Sequence, residues 1–163
     1  MINGETEAGK NLIARVCDGY VMHGDSPEVI GNRINDVKQR REKLGLPEMK
    51  YAMAAYAIVR NTEAEVKKEL NRITDVNSSA RGYNNYQQWL NGTQLEKKVS
   101  LEEYSVSNRG LRSGLAGTPE QVAEQVDKFK KAGVDFFLLQ CSPQLEEMER
   151  FAEAIMAYQP SVV

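Results

Sequence analysis

Gly117-Thr118-Pro119-Glu120-Gln121-Val122, running on through Val126, Phe129 and Gly133 into Val134-Asp135-Phe136-Phe137-Leu138-Leu139, is a helix and a strand in immediate succession. Thr118 and Gln121 have capping-box spacing, and Pro119 stands at the first helical position. Val122, Val126 and Phe129 recur on one helical face, and Gly133 is a stop signal. The run from Val134 to Leu139 is nearly all apolar rather than alternating. That is how a strand covered on both faces reads, and such strands belong to parallel sheets.

The same grammar recurs along the chain. Ser26-Pro27 opens a helix carrying Ile30, Ile34, Val37, Arg41 and Leu44, stopped by Gly45. Thr62-Glu63-Ala64-Glu65 is a second capping box, leading to Val66, Leu70 and Ile73. Ser142-Pro143, with Ser142 as N-cap, opens the last helix, with Leu145, Met148, Ala152 and Ile155 expected inward. A helix from about Thr6 to Cys17 has Leu12, Ile13 and Val16 as its stripe. Strand-length runs lie between them at Asp18–Met22 and Tyr51–Val59. Helix–strand alternation implies βαβ units. The polar stretch from about 77 to 115, with Tyr83, Tyr86, Trp89 and Tyr104 scattered through it, interrupts the rhythm as one long insertion. A helix over Tyr86–Val99 and a loop over Ser105–Ser113 are expected within it. Excursions of this length are usually functional.

The chain has 163 residues, 41% hydrophobic and 27% charged, an ordinary globular mix. Its net charge of −2 offers no global field for nucleic acid or an anionic membrane. No apolar run approaches the ~20 residues of a membrane span. Met1-Ile2-Asn3-Gly4-Glu5 has neither part of a signal peptide. Cys17 and Cys141 form no C-x-x-C pair, and the single His23 leaves little for a zinc site. Both cysteines read as small buried apolar residues, and a cytoplasmic setting with reduced thiols is the expectation. The basic run from Lys38 to Lys43 reads as a solvated helix face.

Three strands, or four if Met1-Ile2-Asn3 is the stub of another, are too few to close a barrel, which takes about 250 residues. The expected fold is α/β: the C-terminal portion of a TIM-type (β/α)8 barrel, with three to four parallel strands, flanking helices and the 77–115 insertion, forming one domain over 1–163.

Specific stretches then carry a resemblance. Arg15-Val16-Cys17-Asp18-Gly19-Tyr20-Val21-Met22-His23-Gly24-Asp25, Tyr56-Ala57-Ile58-Val59-Arg60, Gly117-Thr118-Pro119-Glu120-Gln121-Val122 and Ala132-Gly133-Val134-Asp135 resemble the C-terminal half of the luciferase-like, flavin-dependent monooxygenases. The likeness extends over nearly the whole chain and is strongest to the sulfone-oxidising branch, which is related to the alkanesulfonate monooxygenases. The resemblance implies reduced FMN (FMNH2) as co-substrate, O2 as oxidant, and a separate flavin reductase as partner. The implied reaction inserts one oxygen atom into a small organosulfur compound such as dimethyl sulfone and cleaves a carbon–sulfur bond.

The resemblance also implies site residues. Its phosphate site falls on Gly4, Glu5 and Thr6, where a βα turn offers backbone N–H groups and a hydroxyl at a helix N-terminus. Glu5 and Glu7 are awkward there, and Thr6 could serve only as a helix cap. His23, just past a strand end, could hydrogen-bond flavin or substrate, or be an ordinary loop histidine. Tyr56 and Ala54 fall where the alkanesulfonate enzymes carry a histidine and an arginine. Losing that cationic grip suits a neutral substrate, though Tyr56 could equally be a core tyrosine. Arg109 and Arg112 fall on the loop that closes over reduced flavin in the family, with solvated charges as the alternative. Trp89 with Tyr83 and Tyr86 would shape a pocket or a dimer surface, or simply pack.

Two rival functions stand beside this one. Gly4-x4-Gly9-Lys10-Asn11 nearly spells a nucleotide-binding P-loop, but Asn11 replaces the Ser/Thr that binds magnesium. Alternatively the chain is a non-catalytic binding or assembly module, a homo-oligomer or a partner for a missing N-terminal half, or a truncated product. On the leading reading the isolated chain is inactive.

Overall fold

The computed structural model describes residues 5–75, 87–88, 90–92 and 110–157. Helix α1 (Glu7–Val16) leads into strand β1 (Gly19–His23), helix α2 (Pro27–Lys43) and strand β2 (Lys50–Tyr56), which resumes after Ala57 as β3 (Ile58–Val59). Helix α3 (Glu63–Thr74) precedes the insertion. A 3-10 turn (Gly110–Ser113) lies at the end of it, and the two-residue β4 (Ala116–Gly117) follows. Helix α4 (Pro119–Lys131), strand β5 (Phe136–Gln140) and helix α5 (Gln144–Phe151), extended by a π-helical turn over Ala152–Met156, complete the order. No helix among the described residues is long and apolar enough to cross a membrane.

The sheet is parallel, in the order β1-β2-β5. Its register sorts side chains by parity, because successive residues of a strand face opposite sides. Tyr20, Met22, Tyr51, Met53, Ala55, Phe137 and Leu139 all join the main core. That core is closed from the helix layer by Ile13, Ile30, Ile34, Val37, Val122 and Phe129. Val21, His23, Ala52, Ala54, Tyr56, Phe136, Leu138 and Gln140 share the other face, in register as His23 beside Ala54 beside Leu138, and Tyr56 beside Gln140.

The local signals act where expected. Thr62 and Thr118 both close their capping boxes, and Thr6 and Ser26 cap α1 and α2. Gly133 takes φ +101°, a conformation that ends α4 and turns the chain into β5 without strain. Asp135 locks the start of that strand, its carboxylate accepting the Tyr51 amide and the Lys50 ammonium, each at 2.9 Å. Partial burial raises the Asp135 pKa, but the Tyr51 amide and Lys50 outweigh it, so the group titrates below its ordinary value. A carboxylate with a depressed folded-state pKa stabilises above its unfolded pKa of about 3.9 and loses that contribution as pH falls through the lower value. Asp135→Asn should therefore lower stability by about 1 kcal/mol at pH 7. The deficit should vanish in urea titrations carried out in acid below both pKa values.

Four expectations need correction. β5 is not covered on both faces: Phe136 and Leu138 are 51% and 48% exposed, because β5 is the last strand of the sheet and no described residue lies over its inner side. Helix α1 buries Ile13 and Ala14, while Leu12 and Val16 are exposed. In α5 the N-cap is Pro143, not Ser142, and Leu145 and Met148 point outward because Glu147 takes the buried position against Arg60. The basic run is not all solvated: Arg41 is buried, donating to the carbonyls of Ala14, Cys17 and Pro47 at 3.0, 2.9 and 2.6 Å. Cys17 is buried as expected, and Cys141 is half-buried with its thiol pushed up by burial. The stub Met1–Asn3 and Tyr83, Trp89 and Tyr104 lie outside the described residues; of the helix expected over Tyr86–Val99, residues 87–88 and 90–92 are helical and the rest lie outside them.

Candidate functional site

The inner face of the sheet has an apolar lower part and a polar upper rim. Val21, Ala52 and Phe136 form one row across the three strands, and His23, Ala54 and Leu138 the next. Tyr56 and Gln140 stand one pleat higher, at the C-terminal ends of β2 and β5. In barrels of parallel strands the site is built at that end. Gln140 was not singled out in the sequence, yet the alternation Phe136, Leu138, Gln140 already placed it on this face.

The segments that flank the insertion build the wall above Tyr56. Ala57 N–H donates to Gln140 on one side of the strand, and Ile58 N–H donates to Leu115 on the other, each at 2.9 Å. Adjacent amides of an extended chain point opposite ways, so β4 sits beyond the end of β1 and pairs with β3 in parallel. This lets α3 fold over the inner face. Val66, Leu70 and Ile73 pack on Tyr56 and Ile58 together with Leu111 and Ala116. Tyr56 is buried there, and burial raises its hydroxyl above the ordinary tyrosine range, so it remains a hydrogen-bond donor at neutral pH. Arg112 follows Leu111 in the 3-10 turn and is half-buried beside the same cluster.

A second group assembles at the start of α1. Arg33 on α2 lies 3.4 Å from Glu5 and 3.3 Å from Asp25. It thus ties the turn before α1 to the loop that follows His23. Thr6 caps α1, its hydroxyl oxygen accepting Gly9 N–H at 3.1 Å, which leaves the hydroxyl proton available to an acceptor. The two troublesome carboxylates are answered by cations: Glu5 by Arg33, and Glu7 by Arg40 (2.7 Å) and Lys10. A phosphate at this helix N-terminus would therefore meet amide donors, a hydroxyl and a neutralised surround, so the residues present fit a phosphorylated cofactor. Glu5, Thr6 and His23 are thus brought to one end of the molecule. Tyr56 and Arg112 stand together one strand over, beside the cluster built by α3. Gly4 and Arg109 lie outside the described residues.

Sequence reading missed an ion network beside this wall. The Arg60 guanidinium donates to both Glu147 oxygens at 2.7 and 2.9 Å and lies 3.4 Å from Glu69, all three side chains being mostly buried. Arg72 also grips Glu69 and the Ser142 carbonyl. The network ties β3, α3 and α5, elements 87 residues apart in the Arg60–Glu147 pair. The only advance signal was a charged residue directly following an apolar strand.

Comparison with known proteins bears on this arrangement. Two curated relatives, the FMNH2-dependent dimethylsulfone monooxygenases of Pseudomonas fluorescens (strain Pf0-1) and Pseudomonas putida, are 28% and 26% identical to the chain. Each match takes in 94% of this chain and 44% of the relative, so the chain spans less than half the length of these relatives. Among solved structures, EDTA monooxygenase from Chelativorans sp. BNC1 superposes with a TM-score of 0.68 at 20% identity, over 95% of this chain and 42% of that one. DmoA from Hyphomicrobium sulfonivorans gives 0.67 at 17%, over 95% and 40%. The parallel three-stranded unit is thus a part of a barrel. The family model described as Luciferase-like monooxygenase matches residues 1–135, and the chain belongs to that family.

Proposed function

We propose that the chain supplies the C-terminal part of a reduced-FMN-dependent monooxygenase acting on a small, neutral organosulfur compound such as dimethyl sulfone. The observation that carries the substrate class is the inner face itself. Among its described residues, His23, Tyr56 and Gln140 offer hydrogen bonds above Val21, Ala52, Ala54, Phe136 and Leu138, and none is Lys or Arg. A sulfone needs donors and an apolar surround; a sulfonate anion would need a cation. Thr6 and the first-turn amides of α1 would hold the FMN phosphate, with Gly4 and Glu5 completing that turn. Reduced FMN would supply the electrons that activate O2. His23 and Tyr56 would orient the substrate, and Arg109 and Arg112 would close the insertion over the flavin. The domain is the single barrel unit over 1–163 interrupted at 77–115. Its setting is cytoplasmic, with a flavin reductase delivering the reduced cofactor.

Among the described residues the inner face is open along β5, so water reaches a flavin bound there, and reactions of this kind need a closed site. The isolated chain should show little or no consumption of dimethyl sulfone when supplied with FMN, a flavin reductase, reductant and O2. Joining residues 1–163 to the front part of the Pseudomonas fluorescens relative should create sulfone turnover without turnover of an alkanesulfonate. Robust turnover by the chain alone, or a preference of the fusion for the sulfonate, overturns the reading.

A further inference from the structure

Arg33 on α2 stands between two carboxylates from different parts of the site. One is Glu5, at 3.4 Å, the residue just before the Thr6 cap of α1. The other is Asp25, at 3.3 Å, in the loop after His23. Asp25 also accepts the Ser26 amide at 2.9 Å, which fixes its carboxylate to the start of α2. The guanidinium nitrogen facing Glu5, Nη1, is buried and makes no hydrogen bond among the described residues. Its hold on Glu5 is therefore one of charge rather than of directed bonding. The Glu5 side chain is 25% exposed, so water screens it only in part. Its charge is felt inside the fold: burial first, and Glu5 second, raise the hydroxyl of the fully buried Tyr20 to about 12. The other cations at this helix start are already engaged, since Lys10 and Arg40 are shared between Glu7 and Asp36. Without Arg33, the charges of Glu5 and Asp25 would both stand uncancelled.

We propose that Arg33 is the positioning residue that makes this turn selective for a phosphorylated flavin. It cancels the Glu5 charge, so that the amides and hydroxyl at the start of α1 can accept a phosphate dianion. It acts through Glu5 rather than on the phosphate. Through Asp25 the same guanidinium also holds the loop that follows His23. This rests on the placement of the FMN phosphate at α1 proposed above. Riboflavin has the same ring system and no phosphate, so its binding gains nothing from the cancelled charge.

Anaerobic calorimetric titration of the 163-residue chain with reduced FMN and with reduced riboflavin tests this. The wild-type chain should bind FMN about tenfold more tightly than riboflavin, or better. Arg33→Gln should weaken FMN about tenfold and leave riboflavin within about twofold. Glu5→Gln should instead tighten FMN about threefold, and the double variant should return it to about the wild-type value. Because the expected effect of Glu5→Gln is a gain, that variant decides even if Arg33→Gln does not fold. Equal weakening of both flavins by Arg33→Gln would make the residue a support of the fold alone and overturn the proposal. Weaker FMN binding by Glu5→Gln would mean that the pair acts by shape, and overturns it too. A wild-type chain with no preference for FMN overturns it together with the phosphate placement. Sulfonate turnover by the fusion, with these flavin affinities as expected, would sink the substrate class and leave Arg33 in its role.

Discussion

Arg60→Met should lower the stability of the folded chain by about 3 kcal/mol, because it takes the two-pronged partner from the buried Glu147 carboxylate and leaves it only the half-exposed Arg150 at 3.6 Å. For a chain of this length that corresponds to a fall of roughly 6–12 °C in Tm. Glu147→Leu alone should cost less, since Arg60 keeps Glu69 at 3.4 Å. The double change Arg60→Met/Glu147→Leu should recover most of the loss, since a well-packed apolar pair replaces an ion pair at little net cost. Glu69 would then keep Arg72 as its partner, the side chain whose hydrogen bonds already hold the Glu69 pKa below the ordinary carboxylate range. A thermal or urea double-mutant cycle is the measurement. A coupling energy below about 1 kcal/mol would show that the pair is solvated and that α5 is held by something else.

Phe129→Ala should be at least as severe, at about 3–5 kcal/mol. Phe129 is fully buried and meets Phe137 edge to face, with ring centroids 5.9 Å apart and planes at 76°. It is the point where α4 holds β5 against the sheet, and β5 has a partner strand on one side only among the described residues. Removing the ring therefore takes packing from the strand least able to lose it. Phe129→Leu keeps most of the volume and should cost under about 1.5 kcal/mol. If both variants unfold with the wild-type midpoint in urea, Phe129 is not the contact that retains β5.

Local chemistry was the most legible part of the sequence. Capping boxes at Thr62 and Thr118, the Ser26-Pro27 start and the Gly133 stop are decided within a few residues, and each acts in the fold as its spacing demands. Facing was harder. Helical periodicity in α5 pointed Leu145 and Met148 inward, but a long-range partner, Arg60, claimed the buried position for Glu147 and rotated the helix. No window confined to residues 142–156 contains that information. The same applies to Arg41, which looked like one cation in a solvated run until its carbonyl acceptors came from two other segments. For the site, alternation along β2 puts Ala54 and Tyr56 on one face, but it is the parallel register that sets His23 of β1 beside Ala54. The neutralisation of Glu5 and Glu7 rests on α2, whose Arg33 and Arg40 are contributed from a full helix away.

Arg41 also governs how the molecule comes apart. Its guanidinium reaches from the second helix to the carbonyls that end the first, and to the bend at Pro47 that precedes the central strand. Peeling away the opening helix exposes two of those carbonyls and strips a buried cation of its acceptors in the same movement. Fraying from the amino-terminal side is thereby coupled to melting of the centre, and the first two helices with the strands they flank open as one cooperative block.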